Sequence, residues 1–213
     1  MRVLKDNAPV IIIVALTVLS FVGILYLASK QEKTQEGQTE VKSEELLTEG
    51  TYVKGEASAS ATLVEFSDFQ CPACKLFYPI IKSLEKKYEG KLRVAYKHYP
   101  LPQHQYAQKA SEAAEAAGAQ GKFFEYHDIL FENQEKLTVE DLKSYARELG
   151  LNEERFNSDL DLGKYASKVK ADVALGTKLG VDSTPTFYLN GKKMKLKSIN
   201  DLENQILEIL NSN

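Results

Sequence analysis

Cys71 and Cys74 are the two cysteines of this 213-residue chain, and they stand in a single Cys71-Pro72-Ala73-Cys74 unit. Disulfides used as staples are spread over several cysteines at long separations. Two thiols this close can instead open and close a disulfide without rearranging the chain around them. Other uses of the pair fail on their own chemistry. Structural zinc needs about four ligands. The pair supplies two, and His98, His104 and His127 stand apart from one another, so no metal is expected. Covalent haem attachment needs a histidine directly after the second cysteine, where this chain has Lys75. No cofactor is expected, because the thiols are themselves the reagents.

The elements that must position them follow from periodicity. In the stretch ATLVEFSDF at 61–69, Leu63, Val64 and Phe66 mark a short buried strand that runs into Cys71. Phe77, Ile80, Ile81, Leu84 and Tyr88 then recur at helical spacing, and Gly90 is a stop. Cys71 therefore sits at a helix N-terminus, with Pro72 at an early position where its missing N–H costs little. Unpaired N–H groups and about half a positive charge at that terminus favour thiolate over thiol at Cys71. Cys74, one turn in, should be shielded. Pro79 lies inside the helix and should kink it.

Leu92, Val94, Tyr96 and His98 alternate with Arg93, Ala95, Lys97 and Tyr99, which predicts a second strand ended by Pro100 and Pro102. Helices are expected over about 104–119, over 121–133, from a Thr138 cap to Gly150, and in shorter pieces to Leu179. Thr186–Leu189 reads as a strand, Asn190-Gly191 as a hairpin turn, and Met194 and Leu196 as the return strand. Ser198 can cap a last helix that buries Leu202, Ile206, Ile209 and Leu210.

The first 50 residues have a different character. Residues 9–28 carry no charge and are long enough to cross a bilayer as a helix. Cleavage as a signal peptide requires small residues at its end, and bulky Tyr26 precedes Ala28. An uncleaved signal-anchor is expected, with residues 1–8 as a short cytoplasmic head. The catalytic domain then lies on the extracytoplasmic side of the cell membrane, where a reactive dithiol suits an oxidising compartment. Residues 29–50, rich in Glu, Gln, Lys and Thr, read as a flexible tether with ends on the order of 25 Å apart. A net charge of −3 and the lack of a basic stripe give no support for nucleic-acid binding.

The order strand, Cys-x-x-Cys helix, strand, helical region, hairpin, helix is similar to an α/β thioredoxin fold with an inserted helical domain at about 104–179. In detail the chain resembles the DsbA-type thiol-disulfide oxidoreductases of bacterial envelopes. The resemblance rests on VEFSDFQCPACKLFYP at 64–79, YKHYPL at 96–101, GKFFEYHDILFEN at 121–133 and GVDSTPTFYLNG at 180–191, and the domain is expected over 51–213. It implies that Cys71 attacks, that Cys74 is the buried resolving partner, and that Thr184 and Pro185 hold a cis peptide bond at the substrate site. It implies that Glu65, six residues before Cys71, is the buried acid that tunes the thiols and moves protons. Strongly oxidising relatives carry Pro-His between the cysteines; Ala73 offers neither charge nor a side-chain hydrogen bond. Exported protein thiols are the implied substrates, and a membrane redox partner reoxidises the pair. Isomerases of this superfamily often add a dimerisation domain, for which the tether leaves no room. A monomeric disulfide oxidase is expected. The alternatives are an isomerase or reductase of the same fold, or a non-catalytic chaperone or binding module.

Overall fold

The computed structural model describes residues 17, 18, 20–24 and 41–212. Most of the expected membrane span, all of the head and the first part of the tether lie outside the described residues. Among the described residues no helix is long and apolar enough to cross a membrane.

A five-stranded sheet organises the domain, in the order β1-β3-β2-β4-β5. Its strands are β1 (Tyr52–Lys54), β2 (Ala61–Ser67), β3 (Leu92–His98), β4 (Thr186–Leu189) and β5 (Lys192–Lys193). The central strand β2 is buried along its whole length and pairs parallel with β3 and antiparallel with β4. The parallel pair needs a crossover, and α2 (Pro72–Lys87) provides it, continuing as one helix through Pro79.

Pleating sends alternate residues to opposite faces. Leu63, Val94, Phe187 and Leu189 pack with Ile81 and Leu84 of α2 and with Leu202 and Ile206 of the last helix, α8 (Asn200–Ser212). Val64, Phe66, Ala95 and Tyr188 pack on the other face with Val41, Leu46 and Val181. β3 therefore departs from the one-sided alternation its sequence suggested. Ala95 and Lys97 are as buried as their neighbours, and Lys97 is matched by Asp172, 2.9 Å away.

Between β3 and β4 lie five helices: α3 (Ala107–Gly118), α4 (Phe123–Glu132), α5 (Val139–Glu148), α6 (Glu153–Asp161) and α7 (Ala166–Lys178). Fully buried Ala110, Ala113, Ala114, Ala116 and Ala117 give α3 smooth sides for close approach. Thr138 and Asp141 form a reciprocal capping box that starts α5, as the sequence indicated. Asn152 caps α6. The large apolar cluster of this insertion includes Phe69, Cys71 and Cys74, so the dithiol sits where insertion and sheet meet.

Three expectations are corrected. The tether was expected to run to residue 50, but its last ten residues belong to the domain. The Val41 N–H donates to the Gly191 carbonyl at 3.0 Å, α1 (Ser43–Leu46) follows, and Leu46 is fully buried. Gly191 has positive φ, and a Cβ there would collide with the Val41 carbonyl. The return strand is also shorter than expected. β5 ends at Lys193, and the Met194 N–H closes the ladder on the Phe187 carbonyl before the chain turns away. At α8, Ser198 donates to Asp201 instead of accepting from the helix, and Asp201 reaches back to the Lys197 and Ser198 N–H groups.

Candidate active site

Cys71 is the N-cap of α2, with extended φ −78° and ψ 122°, and Pro72 opens the helix. No acidic side chain in the first turn opposes the positive end of the helix, and Lys86 and Lys87 occupy the last turn. The structure holds both cysteines as free thiols. The Cys71 thiol is lowered to about 5. The chief cause is the hydrogen bond it receives from Cys74; the Thr184 hydroxyl and the N–H groups of Cys74 and Ala73 add to it, against the cost of burial. Cys74 is fully buried, and its thiol is pushed far above the ordinary range by that burial, by its bond to Cys71 and by the charge of Glu65. The two sulfurs are thus strongly polarised: one a ready thiolate, the other a held proton. Pro72 and Ala73 are exposed on the surface between them.

The loop before β4 supplies the opposite wall. Thr184-Pro185 is a cis peptide bond, and the Thr184 carbonyl lies 3.4 Å from the Cys71 sulfur. Pro185 also lines an open groove of about 420 Å³, bounded by Phe77 of α2 and by Phe187, Met194, Leu196 and Ile199.

Glu65 lies beneath the pair. The pleat of β2 puts it on the same face as Leu63, under α2, paired across the sheet with Tyr96 and Phe187. Its carboxyl, 4 % exposed, is pushed up to about 7 by burial, with the charges of Glu85 and Cys71 adding and the Ser67 hydroxyl opposing. Cys71, Cys74, Thr184, Pro185 and Glu65 are therefore brought together.

Sequence reading missed the frame that holds them. Asp68, fully buried, accepts from the N–H groups of Gln70 and Leu101 and bonds His104 Nδ1, each at 2.7 Å, while its carbonyl accepts from the Cys71 N–H. Gln134, between α4 and α5, donates from Nε2 to the carbonyls of Phe69 and Cys71, both at 2.9 Å. His98 Nε2 lies 3.0 Å from Glu115 Oε1, which ties β3 to α3. An aspartate just after a strand could have signalled a turn; nothing local marks Gln134. Among the described residues no group of three or more metal-ligating side chains gathers.

A thioredoxin family model matches residues 47–208. Among curated proteins, the Na(+)/H(+) antiporter NhaA 3 of Salinispora tropica is 40% identical over 143 residues, which is 67% of this chain and 22% of that protein. The antiporter NhaA of Herminiimonas arsenicoxydans is 36% identical over 144 residues, 68% of this chain and 23% of that protein. The match thus spans less than a quarter of the length of these relatives. Among solved structures, BdbD from Bacillus subtilis, oxidised, superposes with TM-score 0.70 at 28% identity, covering 76% of this chain and 94% of that one. The thiol-disulfide exchange protein alpha-DsbA2 of Wolbachia pipientis gives TM-score 0.67 at 21% identity, covering 78% and 90%. The chain belongs to the thioredoxin family and is built on the plan of the DsbA-type thiol-disulfide oxidoreductases.

Proposed function

We propose that this protein is an extracytoplasmic thiol-disulfide oxidoreductase that introduces disulfides into exported proteins. The observation that carries the reading is the opposed setting of the two sulfurs: Cys71 stands at the N-cap of α2 with its thiol lowered, and Cys74 is fully buried with its thiol raised. A stabilised thiolate favours the reduced dithiol, which makes the disulfide a good oxidant. Starting from the Cys71–Cys74 disulfide, a substrate thiolate attacks the Cys71 sulfur. The substrate–Cys71 bond forms, the Cys71–Cys74 bond breaks, and Cys74 leaves as a thiolate that takes a proton. A second substrate thiolate then attacks the substrate sulfur, and Cys71 departs as a thiolate. The substrate has lost two electrons and the enzyme has gained them. A membrane redox partner takes them away. The open groove beside Pro185, lined by apolar side chains such as Phe77 and Leu196 and by polar ones such as Asp182 and Lys197, suits an extended peptide.

Anchoring by residues 9–28 is part of the proposal. Its described residues are helical, with Val18, Phe21, Val22 and Ile24 all more than half exposed, an apolar surface suited to lipid. An isomerase or reductase is the second reading, and Ala73 favours it because its methyl group adds nothing to the thiolate's stability.

Equilibration of the Cys71–Cys74 couple with glutathione tests the proposal. The oxidase reading expects a potential above about −180 mV, together with rapid oxidation of a reduced, unfolded protein. A more negative potential, with preferential repair of scrambled disulfides, replaces it with the second reading.

A further inference from the structure

His127 is a nearly buried titratable side chain that the mechanism above does not use. It comes from α4 of the insertion and meets Glu65 of β2 at a narrow cavity of about 20 Å³. Glu85 of α2, Lys54 of β1, Tyr96 of β3 and Asp128 complete the part of the lining that matters. A space of this size admits one water. The Tyr96 hydroxyl is buried and has no hydrogen-bond partner among the described residues, so the cavity holds a polar group able to orient that water. The His127 ring is fixed by Phe131, Tyr96 and Phe69, at centroid distances of 4.9, 5.0 and 5.6 Å. Its Nδ1 lies 3.1 Å from Asp128 Oδ1, and Asp128 Oδ2 is paired at 2.7 Å with Lys82, whose side chain is 48% exposed. Acidic and basic groups thus run from the underside of the dithiol to solvent.

We infer that His127 relays protons between the buried Glu65 carboxyl and the exposed Asp128–Lys82 pair, serving the protonation and deprotonation of Cys74. The inference rests on the thiol-disulfide chemistry proposed above. During reoxidation by a disulfide, the Cys71 thiolate first forms a mixed disulfide. Cys74 then gives its proton to the Glu65 carboxylate, and its thiolate attacks the Cys71 sulfur. The Cys71–Cys74 bond forms, the mixed bond breaks, and the partner leaves as a thiolate. Glu65 passes the proton through the cavity water to the free ring nitrogen of His127, and the Nδ1 proton passes to Asp128 and solvent. The reverse order protonates Cys74 when it is the leaving group. The protonation states suit the task. Burial lowers His127, so its ring is neutral and can accept, with Asp128 and Glu85 opposing and His98 adding to the effect. Burial raises Glu65 to about 7, so it both takes and gives a proton near neutrality.

The test is single-turnover oxidation of the reduced full chain by glutathione disulfide, with acid quench and mass detection of the Cys71–glutathione adduct. In His127→Phe, which keeps a ring in the cage, adduct formation should be unchanged. Adduct resolution by Cys74 should slow at least about tenfold, so the adduct accumulates. Should His127→Phe not fold, His127→Gln poses the same question with a polar side chain that does not titrate. In His127→Ala, added imidazole should restore resolution, whereas pyrazole, similar in shape but far less basic, should not. Unchanged resolution in the ring variant, or equal rescue by pyrazole, overturns the relay and leaves His127 a packing residue. Failure of the unaltered protein to exchange with glutathione disulfide at all would count instead against the proposed function.

Discussion

The Cys71 sulfur lies 3.4 Å from the carbonyl oxygen of Thr184, a residue 113 positions further along the chain. The two groups come from distant parts of the chain, Cys71 at the N-cap of α2 and Thr184 on the loop before β4. This contact joins the Cys-x-x-Cys unit to the loop that carries the cis Pro185 bond.

Reactivity should divide between the cysteines. Brief alkylation of the reduced protein should modify Cys71 with a rate that rises through an inflection near pH 5, while Cys74 stays unmodified through neutrality. A thiol lowered on folding contributes stability present above the unfolded value, about 8.5, and lost as pH falls through the folded value. The reduced form should therefore lose stability from about pH 8.5 down to about 5. Equal labelling of both sulfurs at pH 6 contradicts the assignment.

Glu65 has the opposite sign. Its raised carboxyl contributes stability that is whole below the unfolded value of 4.5 and is lost as pH rises through about 7. Glu65→Gln should be more stable than the unaltered protein at pH 8, by about 3 kcal/mol, and similar to it at pH 4.5. Denaturant melts at the two pH values check this.

Gln134→Leu removes both bonds to the active-site turn. It should cost about 2 kcal/mol in stability, since the Phe69 carbonyl is left buried without that partner. Amide exchange in residues 68–75, whose Phe69 and Cys71 carbonyls Gln134 holds, should speed up more than in β3. Uniform acceleration across the domain would show a general loss of stability instead.

Ala73→His should make the couple more oxidising. A donor beside Cys71 stabilises the thiolate, and each unit taken off its pKa raises the potential by up to about 30 mV. A potential that stays put or falls shows that the dipeptide does not set the tuning here.

Leu46→Ala should destabilise the domain by about 3 kcal/mol, because Leu46 is fully buried against the far face of the sheet. A chain begun at residue 51 should melt lower than one begun at residue 40. Equal melting would return residues 41–50 to the tether.

The sequence made β2, α2, β4 and the Asn190-Gly191 turn legible because each rests on local chemistry: an apolar run, a 3.6-residue period, or a pair of residues that accept positive φ. The motifs likewise identified Cys71, Cys74, Glu65, Thr184 and Pro185 as candidates. β1 and the packing of residues 41–50 were not legible. Tyr52–Lys54 is a short edge strand fixed by β3, and Val41, Leu46 and Leu47 are scattered apolar residues in a polar stretch whose site is supplied from elsewhere. Gln134 and His127 were missed for the same reason. Their significance depends on neighbours in β2, β3 and the active-site turn, and no spacing along the chain records that.

The sheet order also dictates when the protein acquires its chemistry. β2 can pair with β3 as soon as the first hundred residues exist, yet its other neighbour, β4, starts at Thr186. A ribosome reaches Thr184 more than a hundred residues after it has made Cys71 and Cys74. Until then the Cys71 sulfur has its partners within the first turn of α2 but lacks the contribution of Thr184. The pairing of β4 with β2 thus closes the site after the helix that carries both sulfurs has been made.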